Sequence, residues 1–166
     1  MAERGAALFL RTAGPLTPLQ RLALRLGGLA GWRRHLTAAL LGVLAALALP
    51  PFDLTPVLLV SFTGLVWLAD GSSDWRGAFA LGWSFGFGFF LAGLYWIAVA
   101  LTIDIAAFWW LMPFAVLGVP AGLALFTAAA VLASYALCRA FSWGGTARIL
   151  TLAVAWTVAE WLRGHV

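Results

Sequence analysis

The sequence predicts an all-α membrane bundle of about five transmembrane helices, and three observations predict it. Of 166 residues, 64% are hydrophobic and only 10% charged. A soluble domain of this size leaves roughly a third of its unfolded surface wet after folding and cannot hide that much apolar surface. The apolar residues fall in long runs; from Gly77 to Leu101 there is neither a charge nor a proline. All ten basic residues are arginines, and nine of them fall on one side of the bundle that those runs define. The positive-inside bias of membrane proteins accounts for such a split, which argues against a basic nucleic-acid-binding face.

Residues 1–35 form a basic N-terminal segment. Arg4, Arg11, Arg21, Arg25, Arg33 and Arg34 stand against a single acid, Glu3. The segment lacks the charged, apolar and cleavage regions of a signal peptide in compact order, so it reads as a cytoplasmic tail. Within it, PLQRLALRLGGL is amphipathic enough to lie on an anionic membrane surface. Residues 36–166 form the transmembrane module. Its first run, Leu36 to Leu49, spans about 21 Å at the helical rise. Arg33 and Arg34 can snorkel, letting that helix begin nearer Gly28. Pro50 and Pro51 stop it. In the turn PPFDLTP, Thr55 is the expected N-cap and Pro56 the expected first-turn residue of the second helix, which reaches about Ala69. Those two helices are either full spans or a short re-entrant hairpin.

Trp75 to Leu101 reads as one span, the third and the packing hub. Gly82, Gly86 and Gly93, spaced four and seven apart, share a helical face where a neighbouring backbone can come close. Tyr95 and Trp96 suit the headgroup level. After a polar break at Thr102–Asp104, Pro113 marks the start of a fourth span. Pro120 should kink it, and Gly118 and Gly122 flank that kink as a second close-packing site. CRAFSWGGTAR is a loop, and a fifth run ends at Leu162. Five crossings put nine arginines with the N-terminus and only Arg163 opposite, so the N-terminus is cytoplasmic and Val166 outside.

Few residues suggest chemistry. Glu160, near the end of an apolar helix, is costly at membrane depth and therefore a functional candidate; its structural alternative is a pair with Arg163 one turn on. Asp53 and Asp104 read as turn residues. Cys138 has no histidine nearby in sequence and reads as an inert thiol. His35 and His165 lie at opposite ends of the chain, so neither a metal site nor a cofactor is expected. Trp96 and the aromatics from Phe85 to Phe90 could line a lipid groove, although packing and interface anchoring are the simpler roles. No catalytic residue is assigned.

The order of motifs adds more. PPFDLTP after a short first helix, then GFGFF and GLYWI, then WTVAEWLRG near the end of the fifth, resembles the bacterial apolipoprotein N-acyltransferase family over about Leu36 to Val166. Thr55 stands where that family commonly has an aromatic. The resemblance implies an inner-membrane enzyme of about eight helices with a nitrilase-like domain on the periplasmic side. A cysteine of that domain takes an acyl chain from a phospholipid. It passes the chain to the α-amino group of the diacylglyceryl-cysteine of an apolipoprotein. The family's catalytic glutamate, lysine and cysteine lie after its seventh span, and none maps onto this sequence, which contains no lysine. The chain therefore reads as the N-terminal membrane module of such an enzyme, inactive alone. Tyr95, Trp96, Glu160 and Arg163 are its lipid- and substrate-facing candidates; phospholipids and the apolipoprotein are its implied partners, without nucleic acid. The rival reading is a non-enzymatic membrane module, a small transporter or lipid-binding scaffold; a transporter should break its helices near the midplane, and only Pro120 offers that.

Overall fold

The computed structural model describes residues 17–101 and 109–165. Among them every regular element is helical: α1 (Pro18–Gly27), α2 (Trp32–Ala46), α3 (Val57–Asp70), α4 (Trp75–Gly93), α5 (Tyr95–Leu101), α6 (Val119–Ala140) and α7 (Thr146–Arg163). A π-helical turn, Phe114–Gly118, leads into α6. The expectations for Asp104 and for Val166 fall outside the described residues.

Local chemistry sets most helix ends. Thr17 and Gln20 form a reciprocal capping box on α1, with Pro18 in the first turn. Gly31, at φ 60°, breaks the chain between α1 and α2. The first apolar run therefore starts its helix at Trp32, not near Gly28. Thr55 is not the N-cap of α3. Its hydroxyl turns back to the Asp53 carbonyl at 3.4 Å, and Pro56 takes the cap position without a side-chain bond. Asp53 holds a left-handed conformation, φ 50°, and serves the turn through its backbone carbonyl, which accepts from the Thr55 amide at 2.9 Å. Asp74, which sequence reading placed only in a helix-ending loop, caps α4 by accepting from the Gly77 amide at 3.0 Å.

Two expected spans change shape. Trp75–Leu101 is not one helix, because regular geometry ends at Gly93 and resumes at Tyr95. Before α6 the chain widens instead of simply kinking: the Val119 amide bonds the Phe114 carbonyl five residues back, just ahead of the proline that cannot donate. Together these give a continuous run, Phe114–Ala140, of 27 residues. Among the described residues it is the one helix both long and apolar enough to cross a bilayer by itself. At 15 and 14 residues, α2 and α3 reach only about 21–23 Å each.

The hub, α4, lies between α2 and α6. On one side, a Cβ at Gly42 would overlap the Phe85 carbonyl oxygen and one at Gly88 the Ala39 carbonyl oxygen, so α2 and α4 meet backbone to backbone. On the other side, a Cβ at Gly82 would stand 2.9 Å from the Ala128 Cα, and one at Gly86 3.1 Å from the Ala124 Cα. Gly93 faces neither helix backbone; its nearest neighbour is the Leu49 side chain, at 3.0 Å. Among the described residues no heavy atom lies within 4 Å of a Cβ built at Gly118 or Gly122, so the close packing expected there is not seen among them. Around the hub, Phe85, Phe62 and Trp156 interlock at 4.8–5.9 Å between ring centroids and tie α3, α4 and α7 together.

One end of the bundle is held by arginines around the α3–α4 loop. Arg34 donates to the Leu68 carbonyl at 2.6 Å, the Gly71 carbonyl at 3.3 Å and the Ser72 hydroxyl. Tyr135 and Arg139 of α6 donate to the Ser73 carbonyl at 3.2 and 3.4 Å. Arg148 of α7 pairs with Asp70. Gly42→Ala should lower stability by about 1–3 kcal/mol, because the backbone it meets cannot yield as a side chain can. Gly122→Ala, with open space around it, should change little. Thermal unfolding of both variants in detergent measures the difference, and equal midpoints would remove the close-packing account.

Candidate functional site

The opposite end carries the residues singled out as chemically unusual. Along α7, Trp156, Glu160 and Arg163 recur at i, i+4 and i+7 and so form one stripe. The stripe faces the C-terminal end of α4, where Phe89, Phe90 and Gly93 stand, with Leu49 beyond α2 and Leu123 on α6 closing the sides. Between them lies a groove of about 290 Å³. Gly93 is part of its lining, and a Cβ there would stand 3.0 Å from the tip of the Leu49 side chain.

At the mouth, Arg163 and Glu160 form an ion pair within one helix, about one-third exposed on each side chain. The Arg163 guanidinium also sits 5.3 Å from the centre of the Phe90 ring, a cation–π distance, and Phe90 itself is only 4% exposed. The arginine Nε is buried without a hydrogen-bond partner. The pair is thus anchored on an aromatic wall, with one donor left over beside an apolar groove.

Of the four lipid- and substrate-facing candidates, the structure brings Glu160 and Arg163 together in this groove. Tyr95 and Trp96 stand outside it, 59% and 56% exposed. Leu49, Leu123 and Trp156 line the groove without having been singled out; the i, i+4, i+7 spacing from Trp156 to Arg163 was a usable signal for the last of them. Among the described residues the groove's lining is apolar apart from Glu160 and Arg163, with no thiol, hydroxyl or imidazole. Cys138 lies elsewhere, 3.2 Å from the Thr151 hydroxyl on the arginine-rich end. Among the described residues no three His, Cys, Asp or Glu side chains cluster to hold a metal ion.

Residues 41–166 match the family model described as the apolipoprotein N-acyltransferase N-terminal domain, a stretch that contains every residue of the groove. The chain belongs to the apolipoprotein N-acyltransferase family. Proteins with that name are 47% identical over 141 residues in Rhodopseudomonas palustris, 46% over 158 in Allorhizobium ampelinum and 46% over 157 in Brucella suis. These alignments cover 82–89% of this chain and 26–29% of the relatives, so the chain spans little more than a quarter of the length of the N-acyltransferases it matches. No solved structure matches it. The match to the family model begins midway along α2, and the relatives align over more of the chain than that.

The partly exposed ion pair and the buried ring beneath it should differ in structural weight. Glu160→Gln should cost no more than about 1 kcal/mol. Phe90→Ala should cost about 3–5 kcal/mol through the cavity it leaves. Unfolding in detergent of both variants compares them, and a larger loss for Glu160→Gln would make the pair a structural fastening.

Proposed function

We propose that this chain is the N-terminal membrane module of an apolipoprotein N-acyltransferase, spanning the bacterial inner membrane about five times, with its N-terminus cytoplasmic and Val166 periplasmic. In this reading residues 1–35 form the cytoplasmic basic segment and residues 36–166 the transmembrane module, in which α2 and α3, as two spans or as a short re-entrant hairpin, return the chain to the side it started from. The reaction it serves moves an acyl chain from a phospholipid to the α-amino group of a lipoprotein's diacylglyceryl-cysteine. The observation that carries the proposal is the apolar groove under Arg163, at the opposite end from the arginine cluster. Its walls suit an acyl chain by burial of methylene groups, each contributing about 0.8 kcal/mol. Arg163, anchored on Phe90 and partly neutralised by Glu160, stands where the polar head of that chain would meet water. Tyr95 and Trp96, exposed beyond the end of α4, serve as headgroup-level anchors.

The segregation of arginines supports the orientation. Arg34, Arg139 and Arg148 gather about the α3–α4 loop, and Arg163 alone stands at the groove. A membrane-impermeant thiol reagent should therefore label Cys138 only after cells are opened. Labelling of intact spheroplasts from outside would invert the orientation.

These 166 residues should transfer no acyl groups by themselves, because the thiol and the groove lie at opposite ends of the bundle. About 18 Å of α7 separates Arg148, beside Cys138, from Glu160. Supplied with phospholipid and a diacylglyceryl peptide, the chain should give no N-acylated product by mass, with or without Cys138→Ala. Product that disappears in Cys138→Ala would overturn the division of labour argued here.

A further inference from the structure

The arginine-rich end contains a second cavity, of about 200 Å³, between the C-terminal ends of α3 and α6 and the start of α7. Its two halves differ. The floor is apolar, formed by Leu65, Val66, Val131 and Leu152. The rim carries Arg139, Arg148, the Tyr135 hydroxyl and Ser72, with Asp70 the one acid in the lining.

The rim's donors are only partly used. Arg139 reaches its partners among the described residues, the Tyr135 hydroxyl at 3.0 Å and the Ser73 carbonyl at 3.4 Å, through Nη1. Arg148 uses Nε on the Trp143 carbonyl at 3.4 Å and Nη1 on Asp70. The Nη2 group of each is left to point elsewhere. Two arginines against one carboxylate leave the cavity cationic, and Arg34 and Arg76 against Asp74 add one further positive charge around the same loop. Beside it the exposed rings of Phe141 and Trp143 stack at 4.9 Å, a pairing suited to the headgroup layer.

A cationic rim over an apolar floor selects an amphiphilic anion. We propose that this cavity binds a phospholipid of the leaflet opposite the acyl-transfer groove, with the phosphate on Arg139 and Arg148 and the top of one acyl chain against Leu65 and Leu152. Guanidinium forks match phosphate oxygens in geometry as well as charge. The volume is below the roughly 300 Å³ at which ligand pockets begin, so the cavity takes a phosphate and the first carbons of a chain while the rest of the lipid lies along the bundle. This site goes beyond the acyl-transfer reading and rests only on the chain's being in a membrane.

The test uses the full 166-residue chain in mixed micelles of phosphatidylglycerol and phosphatidylcholine, with bound lipid counted by native mass spectrometry. Phosphatidylglycerol should be retained preferentially. Arg139→Gln should weaken that retention about fivefold, the effect of one basic residue at an anionic membrane surface. Asp70→Asn should strengthen it, because it releases Arg148 from its partner; a purely structural Asp70–Arg148 pair would give the opposite sign or none. Retention that ignores headgroup charge and both substitutions would overturn the proposal. Displacement of the lipid by millimolar inorganic phosphate would overturn it in favour of a free-anion site. A chain that binds no lipid of either kind would overturn it together with the membrane placement, whereas binding without anionic preference would leave that placement standing.

Discussion

The close approach of α4 to both its neighbours is the constraint on which the rest of this bundle depends. Carbonyl oxygens of Phe85 and Ala39 occupy the space where Gly42 and Gly88 would otherwise carry a Cβ. On the opposite side Gly82 and Gly86 admit the backbone of α6. Helices in lipid gain no hydrophobic drive by associating, so contact area between backbones has to supply the attraction. Once α4 is fixed between α2 and α6, its C-terminal end is fixed against Leu49 and Leu123, and the groove follows. α7 packs on α6, with Thr151 against Ser134, and the ring cluster of Phe62, Phe85 and Trp156 ties it to α3 and α4, with Glu160 and Arg163 facing the groove.

The two ends of the bundle obey different chemistry. At one end, arginines from three helices donate to carbonyls, a hydroxyl and a carboxylate around the α3–α4 loop, so charge is used to hold backbone in place. At the other, the single arginine meets its counterion on its own helix, one turn away. A pair made within one helix takes no counterion from the neighbouring helices, and the Phe90 ring of α4 is the wall it rests on.

Much of this was legible in the sequence because it is periodic. The helical class, the break after Asp70, the span of α7 and the Glu160–Arg163 pair follow from apolar runs, turn residues and i, i+3 spacing. The packing role of Gly82 and Gly86 follows from the same arithmetic. What escaped depends on partners distant in sequence. Gly93 keeps the spacing of the other two, yet what stands nearest it is a leucine beyond α2 and not the backbone of α6. Gly118 and Gly122 look identical to Gly82 and Gly86 in spacing, and only the absence of a facing backbone separates them. Pro120 announced a disturbance, but not that it would be met by a wider turn. Thr55 was the capping candidate, but its hydroxyl is taken by the Asp53 carbonyl, and the cap that forms is made by Asp74 on the next helix. Of the groove, the charged mouth was readable, and the walls supplied by Leu49 and Leu123 were not.

Arg34 shows how one residue can be read twice by different processes. During insertion a chain's orientation responds to charge, and at that stage a lysine would serve as well as an arginine. After folding, the same side chain bridges two carbonyls and a hydroxyl at the end of α3, which takes a planar fork and not a point charge. The first reading happens before α3 and α4 have met, the second only once they have. An evolutionary drift from arginine to lysine at this position would pass the earlier checkpoint and fail the later one, leaving a chain correctly oriented and loosely closed.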